Sequence, residues 1–261
     1  MSLTLPENLY NSIMDIVKLS VVIPAYNEAK NLKNGVLKEV DEYLTKQDYP
    51  YEVLIVDDGS SDDTVSIVRE QIKNMRGFRV LENPHGGKAI TVMTGMLEAK
   101  GEAVVFTDMD QATPIKEIEK IFDKFNEGYD IVIGARHGRK GAPLIRKLMG
   151  WGFSMLRGLI LGLPFTDTQC GFKAFNQEAI KAVFPPLLGN WRRMKASGAA
   201  VNAGFDVETL YLARKKGFKI SEVLVNWRHV GSERVQAISD SLEALKDMMR
   251  IKFSDLKGEY A

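Results

Sequence analysis

Runs of β-forming residues recur through the first half of the chain: KLSVVI (18–23), YEVLIV (51–56), FRVL (78–81), AVVF (103–106) and DIVIGAR (130–136). Runs that are apolar at nearly every position belong to strands buried on both faces of a sheet. Between them come polar turns and then apolar residues at helical spacing. Leu32, Val36, Val40 and Leu44 form one such stripe, and Val65, Val68, Ile72 and Met75 a second. Ala89, Val92, Met93, Met96 and Leu97 form a third, and Ile115, Ile118, Phe122 and Phe125 follow Pro114. Strands alternating with helices through short connections predict a mostly parallel, doubly wound α/β sheet.

Ligands of such a sheet bind outside the carboxyl ends of its strands, so the residues that leave each run are the candidate site. AVVF ends in TDMD. If the chain stays extended there, the period of two puts Asp108 and Asp110 on one side. Paired carboxylates repel unless something positive sits between them, and a hard divalent cation, Mg2+ or Mn2+, takes oxygen ligands of this kind and can carry a diphosphate. A surface turn is the bland reading of Asp-x-Asp; acids ending a buried strand need a partner, which favours metal ligation.

The other strand ends add Glu28, with Asn27 and Asn31 beside it, then Asp57 and Asp58, then His85-Gly86-Gly87-Lys88, then Arg136. Glu28 also suits the first turn of a helix. Ser60 or Ser61 can cap the helix after Gly59, but capping leaves two preceding acids unexplained, which favours Asp57 or Asp58 as a hydrogen-bond acceptor for a ligand. Lys88 opens a helix, whose amino end attracts anions, although the spacing of a Walker loop is absent.

The 261 residues suffice for one large domain, and the expected organisation is a lead-in over 1–18, a domain over 19–235 and an amphipathic helix with a tail over 236–261. A formal net charge of +1 gives no basis for a nucleic-acid partner. The single cysteine, Cys170, excludes an intrachain disulfide and suits a reducing, cytoplasmic compartment. The polar start reads as no secretory signal, and no apolar run is long and uncharged enough to span a bilayer.

VVIPAYNE, VDDGSSDDT, HGGK and FTDMD, in that order, resemble the nucleotide-binding half of family 2 glycosyltransferases, which have an A-type fold. DTQCGFKAF (167–175) and FDVETL (205–210) resemble the dolichyl-phosphate or polyprenyl-phosphate glucosyltransferase branch, close to the mannosyl-transferring one. The resemblance covers roughly 19–232. It implies that Pro24, Tyr26 and Glu28 line a nucleotide site, that Asp57 accepts from a uracil or guanine ring, and that Lys88 lies near the base or phosphates. Asp108 and Asp110 would serve the sugar and the metal, with Gln111 extending the motif and His229 a candidate further ligand. The donor implied is UDP-glucose or a similar nucleotide sugar, and the acceptor a polyprenyl phosphate.

In such a transfer Asp167 is the first choice nearest the reacting centre, Asp206 and Glu208 the second, and Arg136 or Lys173 would meet charge growing on the leaving phosphate. Asp167 could instead cap the turn at Pro164, and Lys173 could hold the acceptor phosphate or sit on a solvated strand face. A phosphate monoester, with a second pKa of about 6, is already nucleophilic; a soluble hydroxyl acceptor, the rival reading, would need a positioned carboxylate. A non-catalytic nucleotide-binding partner subunit is the other alternative.

In LIRKLMGWGFSMLRGLILGL (144–163) a helical wheel gathers Arg146, Lys147, Ser154 and Arg157 into an arc of about 100°. That pattern fits a helix lying in a membrane interface or a buried helix with one wet stripe; the resemblance favours peripheral membrane contact. The basic stretch 190–204 reads as a loop whose Arg192, Arg193 and Lys195 suit an anionic head group. Near the end, Ile238, Leu242, Leu245 and Met249 align on one helical face, with Asp240, Glu243 and Asp247 turned away.

Overall fold

The computed structural model describes residues 17–136, 144–193, 203–228 and 237–260. The candidate ligand His229, the lead-in through residue 16 and the core of the basic loop, 194–202, lie outside them.

The apolar runs become β1 (Leu19–Ala25), β2 (Tyr51–Asp57), β3 (Phe78–Glu82), β4 (Ala103–Thr107) and β5 (Ile131–Arg136). Helices α1 (Ala29–Lys33) and α2 (Val36–Leu44) follow β1, α3 (Thr64–Gln71) follows β2, and α4 (Lys88–Glu98) follows β3. A 3-10 turn (Ile115–Ile118) leads into α5 (Glu119–Asn126) after β4. The second half supplies α6 (Leu144–Leu161), β6 (Phe172–Asn176), α7 (Gln177–Arg193), α8 (Ala203–Lys215), β7 (Ile220–Val225) and α9 (Ala237–Leu256).

Among the described residues the strands form one seven-stranded sheet in the order β3-β2-β1-β4-β6-β5-β7. Its strands pair in parallel except for β6, which runs antiparallel to both β4 and β5. The period of two sorts the sheet into two cores. Val22, Leu54 and Val104 face Val92, Met93 and Met96 of α4, together with α7 and α8. Val21, Val53 and Val105 face Leu37 and Val40 of α2 and Ile118 and Ile121 on the other side.

The reversal of β6 positions the site. Thr107, the last residue of β4, is in register with Phe172, the first of β6. A parallel strand would have brought its carboxyl end to that rim; an antiparallel one brings the stretch that precedes it. Residues 167–171 therefore sit beside the end of β4.

Two helices turn apolar side chains outward. On α6, Arg157 is buried and donates to Thr168 Oγ1, Ser154 Oγ and Phe165 O, and Ser154 Oγ also donates to Phe165 O. Met155 and Leu159 instead face outward, 51% and 75% exposed. On α9 the inward residues are Met248 and Ile251, whereas Leu245, Met249, Phe253 (56% exposed) and Leu256 (74%) point out. Asp247 lies against Gly204 at the start of α8 rather than turning away from the protein. Ser154 and Arg157 of the polar arc thus serve the 165–168 loop. Among the described residues no helix is long and apolar enough to cross a membrane.

Close packing of α4 on the sheet depends on Gly95, where a Cβ would come 2.4 Å from Val22 Cγ1 and 2.8 Å from Val56 Cγ2. Neither valine methyl can retreat from a central strand. Gly95→Val is expected to cost about 2–3 kcal/mol by overpacking, read as a lower urea midpoint with an unchanged slope.

Candidate active site

The carboxyl ends of β1 to β4 enclose a cleft of about 340 Å³, lined by residues that include Pro24, Tyr26, Glu28, Asp58, His85, Lys88, Asp108 and Asp110. The loops that form it are stitched to one another. The side chain of Asn27, held in the left-handed region at φ 55°, accepts from Ser61 N at 2.9 Å, and Glu28 N donates to Thr64 Oγ1 at 2.7 Å. These bonds lock the loop after β1 to the loop after β2.

Asp58 does the same for the third loop. Its carboxylate accepts from the backbone N–H groups of Gly86 (2.8 Å) and Gly87 (3.0 and 3.2 Å), and His85 Nδ1 lies 3.0 Å from Oδ2. His85 stacks on Tyr26 with ring centroids 4.6 Å apart. The close approach of the two loops requires Gly59, at φ 73°, where a Cβ would meet His85 N at 2.9 Å. Asp57 is not part of the lining. Its Oδ2 accepts from Gly59 N and Ser60 N at 2.9 and 3.0 Å, while its buried Oδ1 has no hydrogen-bond partner. Gln111 is also behind the wall: buried, at φ 48°, its backbone N–H and its amide both donate to Asp108 O at 3.1 Å.

Three carboxylates and one ammonium dominate the electrostatics. Lys88 Nζ sits 2.5 Å from Asp108 Oδ1. Burial raises the Glu28 carboxyl, opposed by a 2.6 Å hydrogen bond from Asn31 and reinforced by the charges of Asp110 and Asp108. Burial also raises Asp110, with Asp108 adding to it and Ala112 N–H and Lys88 opposing it. Burial works against the Lys88 ammonium, yet Asp108, Asp206 and Asp110 together raise its pKa. The cleft therefore holds more negative charge than its own cation neutralises. Asp108 and Asp110 offer hard oxygens that suit a divalent cation completing its shell from phosphate and water. Among the described residues no three His, Cys, Asp or Glu side chains converge as a ready-made ligand set.

Asp108 joins this cleft to a second group of charges at the end of β5 and the start of β6. At Gly171 a Cβ would lie 1.9 Å from Asp108 Oδ2, so only glycine fits beside that carboxylate. Arg136 makes a two-point ion pair with Asp167, Nε to Oδ2 at 2.6 Å and a terminal nitrogen to Oδ1 at 2.9 Å, and lies over the Trp227 ring at 5.6 Å. Lys173, only 1% exposed, pairs with Asp206 Oδ1 at 2.5 Å and lies over Phe106. The solvated strand face considered for Lys173 is thus a buried ion pair, because β6 is an interior strand.

Glu208 does not share the site with Asp206. Residues two apart on a helix point about 200° from each other, and Glu208 instead accepts from Trp191 Nε1 at 3.0 Å, Arg250 at 3.0 Å and Tyr260 OH at 2.5 Å. Cys170 is buried with its thiol pushed up by desolvation, which leaves it inert. The roles of Asp58 and Gly171 were missed from sequence; each lies in a motif already singled out, but its partner comes from another strand end.

The sequence profile of Glycosyl transferase family 2 matches residues 20–184. The chain is 32% identical to the dolichyl-phosphate beta-glucosyltransferase of Dictyostelium discoideum, over 94% of this chain and 77% of that protein. It is 31% identical to the Saccharomyces cerevisiae protein of the same name, over 93% of this chain and 76% of that protein. Among solved structures, glucosyl-3-phosphoglycerate synthase from Mycobacterium tuberculosis, in complex with Mn2+, UDP-glucose and phosphoglyceric acid, shares the fold with a TM-score of 0.62 at 16% identity, covering 96% of this chain and 86% of that one.

The Arg136–Asp167 pair has a pH signature. Burial pushes the Asp167 carboxyl up, but the hydrogen bonds and charge of Arg136 outweigh it and hold the group below the usual carboxylate range. A depressed folded pKa adds stability that is present above the unfolded value of about 3.9 and is lost as pH falls toward the folded one. Urea midpoints should therefore fall for the native protein below about pH 4. The gap to Asp167→Asn should be widest at pH 5–6 and shrink on acidification.

Proposed function

We propose, because the chain belongs to glycosyl transferase family 2 and has its A-type fold, that it moves glucose from UDP-glucose to the phosphate of a polyprenyl or dolichyl phosphate. The observation that carries this reading is the likeness, across nine-tenths of the chain, to proteins named for that transfer. The cleft supplies the matching chemistry.

In the transfer, an oxygen of the acceptor phosphate forms a bond to the anomeric carbon as the bond from that carbon to the diphosphate breaks. UDP leaves and the centre inverts in one displacement. Asp57 Oδ1, buried without a partner behind the lining, is kept as the candidate acceptor for the uracil ring, and the Tyr26–His85 pair forms the wall beside the base. Asp108 and Asp110 hold a divalent cation, Mg2+ or Mn2+, with Glu28 close by; when bound, the metal neutralises charge on the departing diphosphate. His229 is kept as a candidate additional ligand.

Lys88 adds positive charge at the amino end of α4, where an anion is favoured. Arg136 and Lys173 supply the cationic side nearest the acceptor. Asp167 acts on Arg136, fixing its planar fork by the two-point pair, and Asp206 does the same for Lys173. A carboxylate held below its usual range is a poor base, which suits an acceptor that needs none: a phosphate monoester is largely dianionic near neutrality.

The lipid acceptor calls for contact with a bilayer. Met155 and Leu159 of α6 and Met249, Phe253 and Leu256 of α9 are exposed apolar side chains on two helices that pack against each other. We assign these faces to peripheral docking on the cytoplasmic side of a membrane.

Labelled UDP-glucose incubated with polyprenyl phosphate and Mn2+ in detergent should yield a labelled lipid, and Asp110→Asn should reduce the rate roughly 100-fold. Failure to label lipid from UDP-glucose, or preference for GDP-mannose, would overturn the assignment. Co-sedimentation with vesicles should fall several-fold in Phe253→Glu/Leu256→Glu, since each change places a charge where an apolar side chain would enter the interface.

A further inference from the structure

Lys88 contacts one of the carboxylates that would hold the proposed metal. It is the first residue of α4, and its ammonium lies 2.5 Å from Asp108 Oδ1. The other oxygen of that carboxylate is pressed against Gly171, where even a Cβ would lie 1.9 Å away. Asp108 is therefore wedged between a cation and a segment of backbone. Asp110 accepts from Ala112 N–H at 2.9 Å and Glu28 from the Asn31 amide at 2.6 Å, so among the described residues the lysine is the cation paired with the Asp-x-Asp motif, at Asp108.

We infer that Lys88 is a resident counter-cation: it occupies Asp108 in the donor-free protein and releases it only when a divalent cation arrives together with a nucleoside diphosphate. The inference rests on the metal reading above and concerns the order in which that site fills. A bare cation must displace the ammonium and leave it in a partly buried cleft without its carboxylate, which is costly. A metal–diphosphate complex brings phosphate oxygens that accept the released ammonium. Lysine suits this exchange because its charge is compact and its four-carbon stem is flexible, and the helix amino end beneath it already favours the incoming phosphate. The protein would then ignore free divalent cations and take the metal as part of its donor.

The test is a Mn2+ titration followed by electron spin resonance of the free ion, on the full chain, with and without UDP. Lys88→Met should bind bare Mn2+ about tenfold more tightly than the native protein, the effect of removing a partly buried ion-pair partner. Lys88→Arg, which keeps the charge, should stay as weak as the native chain. UDP should strengthen Mn2+ binding far more in the native protein than in Lys88→Met. Adding Asp108→Asn to Lys88→Met should erase the gain. Equal bare-metal affinity in the native and Lys88→Met proteins, with UDP-dependent Mn2+ binding intact, would overturn the role of Lys88 alone. So would a gain that survives Asp108→Asn. Absence of Mn2+ binding in all forms, even with UDP, would remove the metal reading and this inference with it. Thermal melts of each variant establish that it is folded, and Lys88→Gln replaces Lys88→Met if that variant is not.

Discussion

Negative charge concentrated on one rim of the sheet is the constraint from which the rest of the architecture follows. Two unit charges about 4 Å apart interact by roughly 4 kcal/mol at the effective dielectric of a protein surface, a sizeable fraction of the net stability of a domain. Glu28, Asp57, Asp58, Asp108 and Asp110 all leave strand ends on that rim, so each needs compensation. Backbone N–H groups serve Asp57 and Asp58, and an ammonium serves Asp108. Glu28 and Asp110 are raised by burial and by their acidic neighbours.

The same logic governs the neighbouring side of Asp108, where positive groups are the ones restrained. Arg136 is held by Asp167 and Lys173 by Asp206, so each cation has a fixed direction. Asp206 owes its position to α8, and α8 is clamped from behind. Glu208, buried, gathers hydrogen bonds from α7, α9 and Tyr260. Tyr211, whose hydroxyl burial pushes up to about 12, donates to Asp255 at 2.6 Å. A hub of this kind, fully bonded and remote from solvent, fixes a unique helix position where an apolar contact would allow sliding. Through it the C-terminal helix bears on a charge that faces the site.

Much of the cleft was legible because it is local. A strand end, a polar turn and a helix start are consecutive in the chain, so Glu28, Lys88, Asp108 and Asp110 could be placed at strand ends from their positions; the family resemblance added Pro24 and Tyr26, and all six line the cleft. The helical wheels fared worse. For α6 the wheel allowed an interfacial helix or a buried one with a wet stripe, and Arg157 is buried with Leu159 exposed; for α9 the acids were read as turned away from the apolar line, and Asp247 packs on Gly204 while Leu245 and Met249 face outward. A wheel reports that a helix has two faces; which one turns inward depends on what it packs against. Here a loop rich in carbonyl and hydroxyl acceptors draws the arginine of α6 inward.

Periodicity and turn chemistry by themselves determined the doubly wound sheet, the edge at which ligands bind and the acids that populate it, since hydrophobic period and strand direction are properties of adjacent residues. Only the tertiary structure decided that β6 reverses between β4 and β5. That reversal brings residues 167–171 to the end of β4 and leaves room only for Gly171 beside Asp108. The reason is that strand order, and the partner of a buried charge, are set by contacts between segments far apart in the chain. Local pattern carries no information about them until the sheet has closed.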